Sequence, residues 1–255
     1  MSDGVMSDKA LETEDVSVVF DSVEVFRNLS LAIPRGEFVA VVGPSGCGKT
    51  TLLNLFSGYL KPSAGRVVCS GRVRMVYQTD SLFPWQTVAQ NIALGLRKVE
   101  DKNERAKQLD QMLRLIKLDD FASHYPHQLS GGMRQRVELA RALVGDSDIL
   151  LLDEPFSSLD YLARLRMRRE LARMLDELPR TVVLVTHDIE EAAQLADRIL
   201  VLSDRPARIC RELRPSLERP REPTHPAVVE AVHCVLMELG LEESKPQLFA
   251  ESPVA

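Results

Sequence analysis

The segment FVAVVGPSGCGKT, residues 38–50, decides the fold of this chain. Its first five residues are apolar, which is typical of a strand buried on both faces of a sheet. The remaining eight match the pattern Gly-x-x-x-x-Gly-Lys-Ser/Thr, and a helical pattern follows from Thr51 to Tyr59. A glycine-rich turn can match such a pattern by chance, but its position between a buried strand and a helix favours a phosphate-binding loop. We therefore predict an α/β domain that binds phosphate groups at this loop.

The residue types in the loop suit a phosphate ligand. Glycines allow successive backbone N–H groups to point inward, and the N-terminus of the following helix adds a partial positive charge. Lys49 can reach the β- and γ-phosphates of a nucleotide, and the Thr50 hydroxyl can bind Mg²⁺. The predicted phosphate-binding residues are Gly43, Pro44, Ser45, Gly46, Cys47, Gly48, Lys49, Thr50 and Thr51.

Cys47 has two interpretations. Any small residue could serve at its position in the loop. Alternatively, a partly exposed thiol near a helix N-terminus would have a lowered pKa and would be open to oxidation.

Candidate reactive side chains follow two further buried strands. Asp153 and Glu154 come directly after the apolar run 149–152, and His187 follows the strand pattern 181–186. Carboxyl ends of parallel strands meet at one edge of a sheet, where ligands bind. Asp153 could hold Mg²⁺ and Glu154 could deprotonate an attacking water, although a helix-capping acid with a solvated neighbour is the plainer interpretation. A single histidine is often structural, but this setting favours a role for His187 at the γ-phosphate.

Composition narrows the class of protein. The chain has 255 residues, of which 45% are hydrophobic and 27% charged, so a disordered chain is excluded. No apolar run is long enough to span a membrane, and the polar N-terminus predicts no secretory signal. The four cysteines lie far apart, which predicts neither a disulfide framework nor a zinc site. A net charge of −5 disfavours a nucleic-acid partner.

The segment LSGGMRQR, residues 129–136, resembles the signature motif of ATP-binding cassette (ABC) ATPases. It lies between the phosphate loop and the acid pair, as in that family. Ser130, Gly131 and Gly132 would present a hydroxyl and bare N–H groups at a helix start, which is a second anion site. The resemblance implies ATP and Mg²⁺ as cofactors and a head-to-tail dimer, in which this site contacts the ATP of the second copy.

The same resemblance assigns further residues. Gln78 resembles the glutamine that binds Mg²⁺ and water, so Thr50, Gln78 and Asp153 form the implied metal set. The implied catalytic residues are Glu154, His187, Gln78 and Lys49. Asp160, in the segment 157–160, resembles the loop that couples the two sites of the dimer. Phe20 falls where the family stacks an aromatic ring on adenine, although a core phenylalanine is the alternative.

The resemblance also implies the organisation of the chain. The implied fold is of the α/β class, with a mainly parallel sheet of the P-loop (RecA-like) type. It has an N-terminal antiparallel β part and an inserted α-helical subdomain. We expect a flexible tail at 1–14 and an ATPase domain at 15–214. Within that domain the core comprises 15–86 and 146–214, and the helical subdomain comprises 87–145. The remainder, 215–255, is expected to be a proline-rich linker and a C-terminal helix.

Two details resemble one subgroup of the family. Met133 stands where the common signature has glutamine, and a Pro-Trp pair occurs in the segment 82–88. Both resemble bacterial importers of nitrate, sulfonates and taurine. The subgroup implies a chain at the cytoplasmic face of the bacterial inner membrane, bound to a transmembrane permease and indirectly to a solute-binding protein. Phe83, Pro84 and Trp85 could line the permease groove, or Trp85 could pack inside the helical subdomain.

Several alternatives remain open at this point. A soluble, non-transport ABC ATPase and a nucleotide-responsive interaction module are other possible functions. The C-terminal helix Ala227–Leu239 could pack on its own core or on a partner. Five arginines are interpreted as a solvated helix face rather than a nucleic-acid contact: Arg164, Arg166, Arg168, Arg169 and Arg173.

Overall fold

The computed structural model describes residues 8–78, 81–215, 217–219 and 221–241. The strands are β1 (Lys9–Phe20), β2 (Val23–Pro34), β3 (Phe38–Val42), β4 (Ala64–Cys69), β5 (Val73–Val76), β6 (Ile149–Asp153), β7 (Thr181–Val185), β8 (Arg198–Leu202) and β9 (Ile209–Leu213). The helices are α1 (Lys49–Phe56), α2 (Val88–Ala93), α3 (Lys102–Leu115), α4 (Gly131–Leu143), α5 (Tyr161–Glu177), α6 (Ile189–Leu195) and α7 (Pro226–Glu238).

The central sheet has the strand order β5-β6-β7-β3-β8-β9. All of its neighbouring strands are parallel except the β8–β9 pair, which is antiparallel. The strands β6, β7 and β3 are neighbours, and each is followed by a predicted site segment. The order of the sheet therefore places three sequence motifs side by side at one edge.

The residues of the central strands face alternately toward two cores. Phe38, Ala40 and Val42 pack with the helices on one face, whereas Val39 and Val41 pack with α1 and the N-terminal strands on the other. All residues of β3, β6, β7 and β8 are buried, as expected for parallel strands covered on both faces. The predicted α/β fold class is confirmed.

A separate antiparallel sheet has the order β2-β1-β4. Its first strand corrects the expected flexible tail at 1–14, because Lys9 pairs with Pro34 and Leu11 pairs with Cys69. Ala10 and Leu11 are buried, and their burial stabilises the pairing of this strand although the surrounding sequence is acidic. The rest of the expected tail, residues 1–7, lies outside the described residues.

The helices α2, α3 and α4 lie between β5 and β6 in the chain, within the span 87–145 expected for the helical subdomain. The C-terminal helix α7 packs on α6 and β9 through the buried residues Val228, Ala231 and Val235. Packing on its own core is therefore the correct alternative for this helix. No helix in the described part of the chain is both long and apolar enough to cross a membrane.

The edge strand β9 is largely exposed, so its sequence lacks an apolar pattern. One local expectation was wrong. Arg168 does not lie on a solvated helix face, since its side chain is only 1% exposed and contacts Asp188.

Candidate nucleotide site

The phosphate loop joins β3 to α1 in a conformation that requires glycine. Gly46 and Gly48 have φ angles of 76° and 122°, which favour glycine. A Cβ atom on Gly48 would lie 2.5 Å from Cγ1 of Val25, so a side chain there would also clash. The helix α1 has Gly48 at its N-cap and no side-chain cap. Its first backbone N–H groups are therefore not capped by a side chain, as an anion site requires.

Lys49 lies inside this loop. Its Nζ atom donates hydrogen bonds of 2.8 Å to the carbonyl oxygens of Gly43 and Pro44, and the residue is 8% exposed. Burying an ammonium group is costly unless it is paired. Neutral carbonyls compensate only part of that cost, so this side chain suits a phosphate ligand.

The Thr50 hydroxyl donates a hydrogen bond of 3.2 Å to Oδ1 of Asp153, which ends β6. Burial raises the pKa of the Asp153 carboxyl, and the nearby charge of Glu154 adds to that effect, while the Thr50 hydrogen bond and Lys49 oppose it. A hydroxyl beside a carboxylate whose charge is poorly solvated is a suitable oxygen pair for Mg²⁺. The arrangement therefore fits the implied metal.

Glu154 contacts residues that follow two other strands, β5 and β7. Its Oε2 atom lies 3.0 Å from Nδ1 of His187 and accepts a hydrogen bond of 3.4 Å from Nε2 of Gln78. Its own backbone N–H donates to Val185 O at 2.8 Å, and its φ angle of 47° is in the left-handed region. Non-glycine residues seldom adopt this conformation, and strain of this kind is concentrated at functional sites.

The predicted signature residues lie at the start of α4. Ser130 is the N-cap residue, and its Oγ accepts a hydrogen bond from the N–H of Met133 at 3.3 Å. Gly132 has open space where a side chain would be, whereas a Cβ atom on Gly131 would lie 3.5 Å from Cδ2 of Leu159. The signature segment thus lies next to the loop that ends at Asp160.

Asp160 is exposed and is the N-cap residue of α5, since its Oδ1 accepts from the N–H of Ala163 at 2.9 Å. The side-chain hydrogen bonds of Ser130 and Asp160 are therefore local to their own helices. The structure groups Lys49, Thr50 and Asp153 with Gln78, Glu154 and His187. Ser130 and Asp160 are exposed at the starts of α4 and α5.

Two aromatic alternatives are settled by exposure. Phe20, at the end of β1, is 45% exposed, so the interpretation as a core phenylalanine is wrong. Trp85 is 70% exposed, with its ring centroid 5.3 Å from that of Phe83, so it does not pack inside the helical segment. Both rings remain accessible to a ligand or a partner.

The reactive-thiol interpretation of Cys47 is wrong. The residue is 2% exposed, and its burial raises the pKa of the thiol more than the nearby Lys49 lowers it. The side chain packs in the core that contains β3 and α1. Its role is therefore that of a small buried residue.

Sequence reasoning missed one residue of the phosphate loop environment. Arg205, in the segment after β8, donates a hydrogen bond from Nε to the carbonyl oxygen of Gly46. Nothing in the local sequence indicates this contact, because the two residues are 159 positions apart.

Comparison with known proteins agrees with this geometry. A sequence model described as ABC transporter matches residues 26–157, which include the phosphate loop, the signature and the acid pair. The chain belongs to the ABC transporter family.

Named relatives of this ABC protein include two import ATP-binding proteins. It is 39% identical over 221 residues to the taurine import ATP-binding protein TauB of Pelagibacter ubique, covering 81% of this chain and 83% of that protein. It is 42% identical over 235 residues to the aliphatic sulfonates import ATP-binding protein SsuB of Delftia acidovorans, covering 91% of this chain and 95% of that protein.

A solved ABC cassette has the same fold. It is a dimeric, post-hydrolysis structure bound to ADP and Pi, with 31% sequence identity and a TM-score of 0.68, and the match covers 80% of this chain and 98% of that one. The family and this likeness together establish the ABC protein as an ATP-binding ATPase.

Proposed function

We propose that this ABC protein hydrolyses ATP to power the uptake of a small anionic solute, such as a sulfonate, taurine or nitrate, through a separate membrane permease. The import names of the relatives support this proposal, as do Met133 and the Pro-Trp pair at residues 84–85. The observation that carries the hydrolytic part of the proposal is the convergence of Gln78 and His187 on one oxygen of Glu154, next to the phosphate loop.

In this proposal each residue of the site has a defined task. The loop residues 43–51 bind the phosphates of ATP through backbone N–H groups, and Lys49 exchanges its two carbonyl partners for phosphate oxygens. Thr50, Asp153 and Gln78 hold Mg²⁺, which supplies charge neutralisation at the phosphates when bound.

Glu154 takes the proton of the attacking water as a general base. His187 and Gln78 orient its carboxylate, since both contact Oε2. His187 would also contact the γ-phosphate, and the exposure of 57% of its side chain leaves it accessible to that group.

The proposal requires a second copy of the chain. Ser130, Gly131 and Gly132 would contact the ATP of the other subunit in a head-to-tail dimer, with Asp160 between the two sites. Phe20 would stack on adenine. The exposure of Ser130, Asp160 and Phe20 supports these roles, because each must meet a group from outside its own surroundings.

The exposed pair Phe83 and Trp85 is the proposed contact for the permease, because apolar surface of this kind marks a partner site. The chain would then work at the cytoplasmic face of the bacterial inner membrane. A solute-binding protein would act through the permease, and no nucleic acid is involved.

Reconstitution tests the proposal. The chain is placed in proteoliposomes with the permease and solute-binding protein that we expect neighbouring genes to encode, and ATP turnover is measured with taurine, an alkanesulfonate or nitrate. We expect one of these anions to stimulate turnover. Stimulation by none of them would refute the solute class.

A variant of the permease surface tests the transport role itself. Trp85→Ala should retain the basal turnover of the isolated chain but lose co-purification with the permease. Val229→Ala is the matched control, because Val229 is an exposed apolar residue of α7. Normal permease binding by Trp85→Ala would contradict the assigned surface, and failure of the wild-type chain to bind any permease would favour a soluble, non-transport ABC ATPase.

A further inference from the structure

A group of charged side chains lies beside the contact between Glu154 and His187, and the proposed chemistry does not use it. Arg164 and Arg168 extend from one face of α5 toward Asp188, the residue that follows His187. Positions four apart on a helix share a face, so both guanidinium groups reach the same carboxylate.

Asp188 uses both of its carboxylate oxygens. Oδ1 accepts the backbone N–H of Glu191 at 3.0 Å and so caps α6. Oδ2 accepts a hydrogen bond of 3.1 Å from Nη1 of Arg164 and a second from Nη2 of Arg168. One side chain thus connects the start of α6 to the middle of α5.

The residue before His187 is held in a similar way. The Thr186 hydroxyl accepts from the N–H of Asp188 at 3.0 Å and donates to Oε2 of Glu191 at 2.6 Å. Both chain neighbours of His187 are therefore fixed by buried or half-buried side chains, while the imidazole itself is exposed.

Arg168 is poorly explained by stability alone. Its side chain is 1% exposed, its Nη1 atom lies 3.7 Å from Oε2 of Glu190 in an ion pair without a hydrogen bond, and its Nε atom is buried without a hydrogen-bond partner among the described residues. A buried charge with unmade hydrogen bonds costs free energy that an apolar residue would avoid. A buried polar group of this kind calls for another explanation.

The other end of this connection is the loop at Asp160. Asp160 is the N-cap of α5, and its carbonyl oxygen accepts the N–H of Arg164 at 2.9 Å. Arg164 is therefore one helical turn from a residue that the proposed dimer contacts. It also lines the same narrow cavity as Glu154 and His187.

We propose that Arg164 and Arg168 are positioning residues for hydrolysis: through Asp188 they fix the segment that carries His187 and so keep the histidine against Glu154, and they join this contact to the loop at Asp160. The inference rests on the proposed role of His187. It adds two residues of α5 to that role and names the carboxylate through which they act.

The first test separates ATP binding from turnover in Arg164→Gln and Arg168→Lys. We expect the dissociation constant for ATP to change less than about threefold and kcat to fall about 10- to 100-fold, since displacing a reactive group by about 1 Å has effects of this size. Arg169→Gln is the control, because Arg169 lies on the exposed side of α5 and pairs with Glu222. Unchanged kcat in Arg164→Gln would overturn the proposal.

The second test observes His187 directly and does not depend on hydrolysis. The chain has five histidines, so ring ¹⁵N signals can be assigned to His187 by their loss in His187→Gln. Arg164→Gln should shift these signals in the full-length chain, as the contact between Nδ1 and Glu154 loosens, whereas Arg169→Gln should not. Identical His187 signals in Arg164→Gln and the wild type would overturn the proposal.

The two tests also separate this inference from the proposed function. If His187→Gln hydrolyses ATP normally, the role proposed for His187 fails, while the NMR measurement still shows whether Arg164 positions the ring. If Arg168→Lys does not fold, as judged by thermal unfolding, Arg164→Gln decides the question. Arg164 is the safer site because 27% of its side chain is exposed.

Discussion

The Nδ1 atom of His187 lies 3.0 Å from the Oε2 atom of Glu154, across a sequence separation of 33 residues. The contact exists because β6 and β7 are parallel neighbours, so residues that follow them meet at one edge of the sheet. It makes the carboxylate of Glu154 the centre of the proposed chemistry.

Replacing this carboxylate should separate binding from hydrolysis. In Glu154→Gln the amide keeps the shape of the side chain and can still contact His187 and Gln78, but it cannot accept a proton from water. We expect ATP affinity within about twofold of the wild type and turnover lower by about 10²- to 10⁴-fold. Equilibrium binding of labelled ATP and a phosphate-release assay measure the two quantities. Wild-type turnover would show that another group acts as the base.

Removing the Thr50 hydroxyl should affect the metal more than the nucleotide. Thr50→Val keeps the shape of the side chain but loses the oxygen that bonds Asp153. We expect the Mg²⁺ concentration for half-maximal turnover to rise about tenfold, the loss of one oxygen ligand being worth about 1.4 kcal/mol. ATP binding in EDTA should not change, and a weakened binding there would assign Thr50 to the nucleotide instead.

Arg205 should matter for the affinity of the phosphate loop. Its hydrogen bond to the Gly46 carbonyl is charge-assisted, and bonds of this kind contribute about 1.5–3 kcal/mol. Because Arg205 is exposed, we expect the lower end of this range, or about a tenfold higher KM for ATP in Arg205→Met with kcat retained. Arg208→Gln, an exposed arginine in the same segment, serves as the control. A fall in kcat without a change in KM would place Arg205 in the chemical step.

Glu191 should make stability depend on pH. Its burial raises the pKa from the ordinary 4.5 to about 7, against the opposing effects of the Thr186 hydrogen bond and of Arg168. Between these two values the folded chain keeps a proton that the unfolded chain has released. Stability therefore falls as pH rises through this range and is not affected further above pH 7. The effect is on the order of 3 kcal/mol at most.

Glu191→Gln tests this expectation, because the amide oxygen can still accept the Thr186 hydrogen bond. Urea unfolding of both proteins at several pH values between 5 and 8 gives the comparison. The advantage of the variant should grow with pH up to about 7 and then remain constant. Parallel stability curves for the two proteins would show that Glu191 is not protonated in the folded state.

Thiol reagents should not modify Cys47 of the phosphate loop in the native chain. Cys69 and Cys210 are exposed, whereas Cys47 is 2% exposed and has a raised thiol pKa. Brief treatment of the native chain with iodoacetamide should therefore modify the exposed cysteines first and leave ATPase activity intact. Mass spectrometry of the digested chain identifies the modified residues. Early modification of Cys47 with loss of activity would restore the reactive-thiol interpretation.

Much of the site could be predicted from sequence, because its residues follow buried strands. The apolar runs ending at Val42, Leu152 and Val185 are continuous; the phosphate loop starts directly after the first, Asp153 directly follows the second, and His187 lies two residues after the third. Local sequence also predicts the helix α7. Pro226 occupies its first turn, and Gly240 follows its end with a φ angle of 67°.

The remaining features depend on contacts between distant segments. Lys9 to Glu14 become a strand because β2 and β4 pair with them, and that short acidic sequence carries no sign of its partners. The burial of Arg168 requires Asp188 from another helix, and Arg205 reaches the phosphate loop from beyond β8. Tertiary packing of this kind overrides what polarity alone indicates.

The strand order has a consequence for the protein during its synthesis. The central strand β3 lies between β7 and β8, and Phe38 pairs with Val182 and Val39 with Arg198. Both partner strands are made long after β3. A ribosome that has made the phosphate loop, which ends at Thr50, must still add residues 51–185 before β7 is complete and can pair with β3, and such distant pairing is slow. A nascent chain, or a chain that ends before β7, therefore carries the phosphate-loop sequence without the neighbouring strand that positions His187. Such a chain is not expected to hydrolyse ATP.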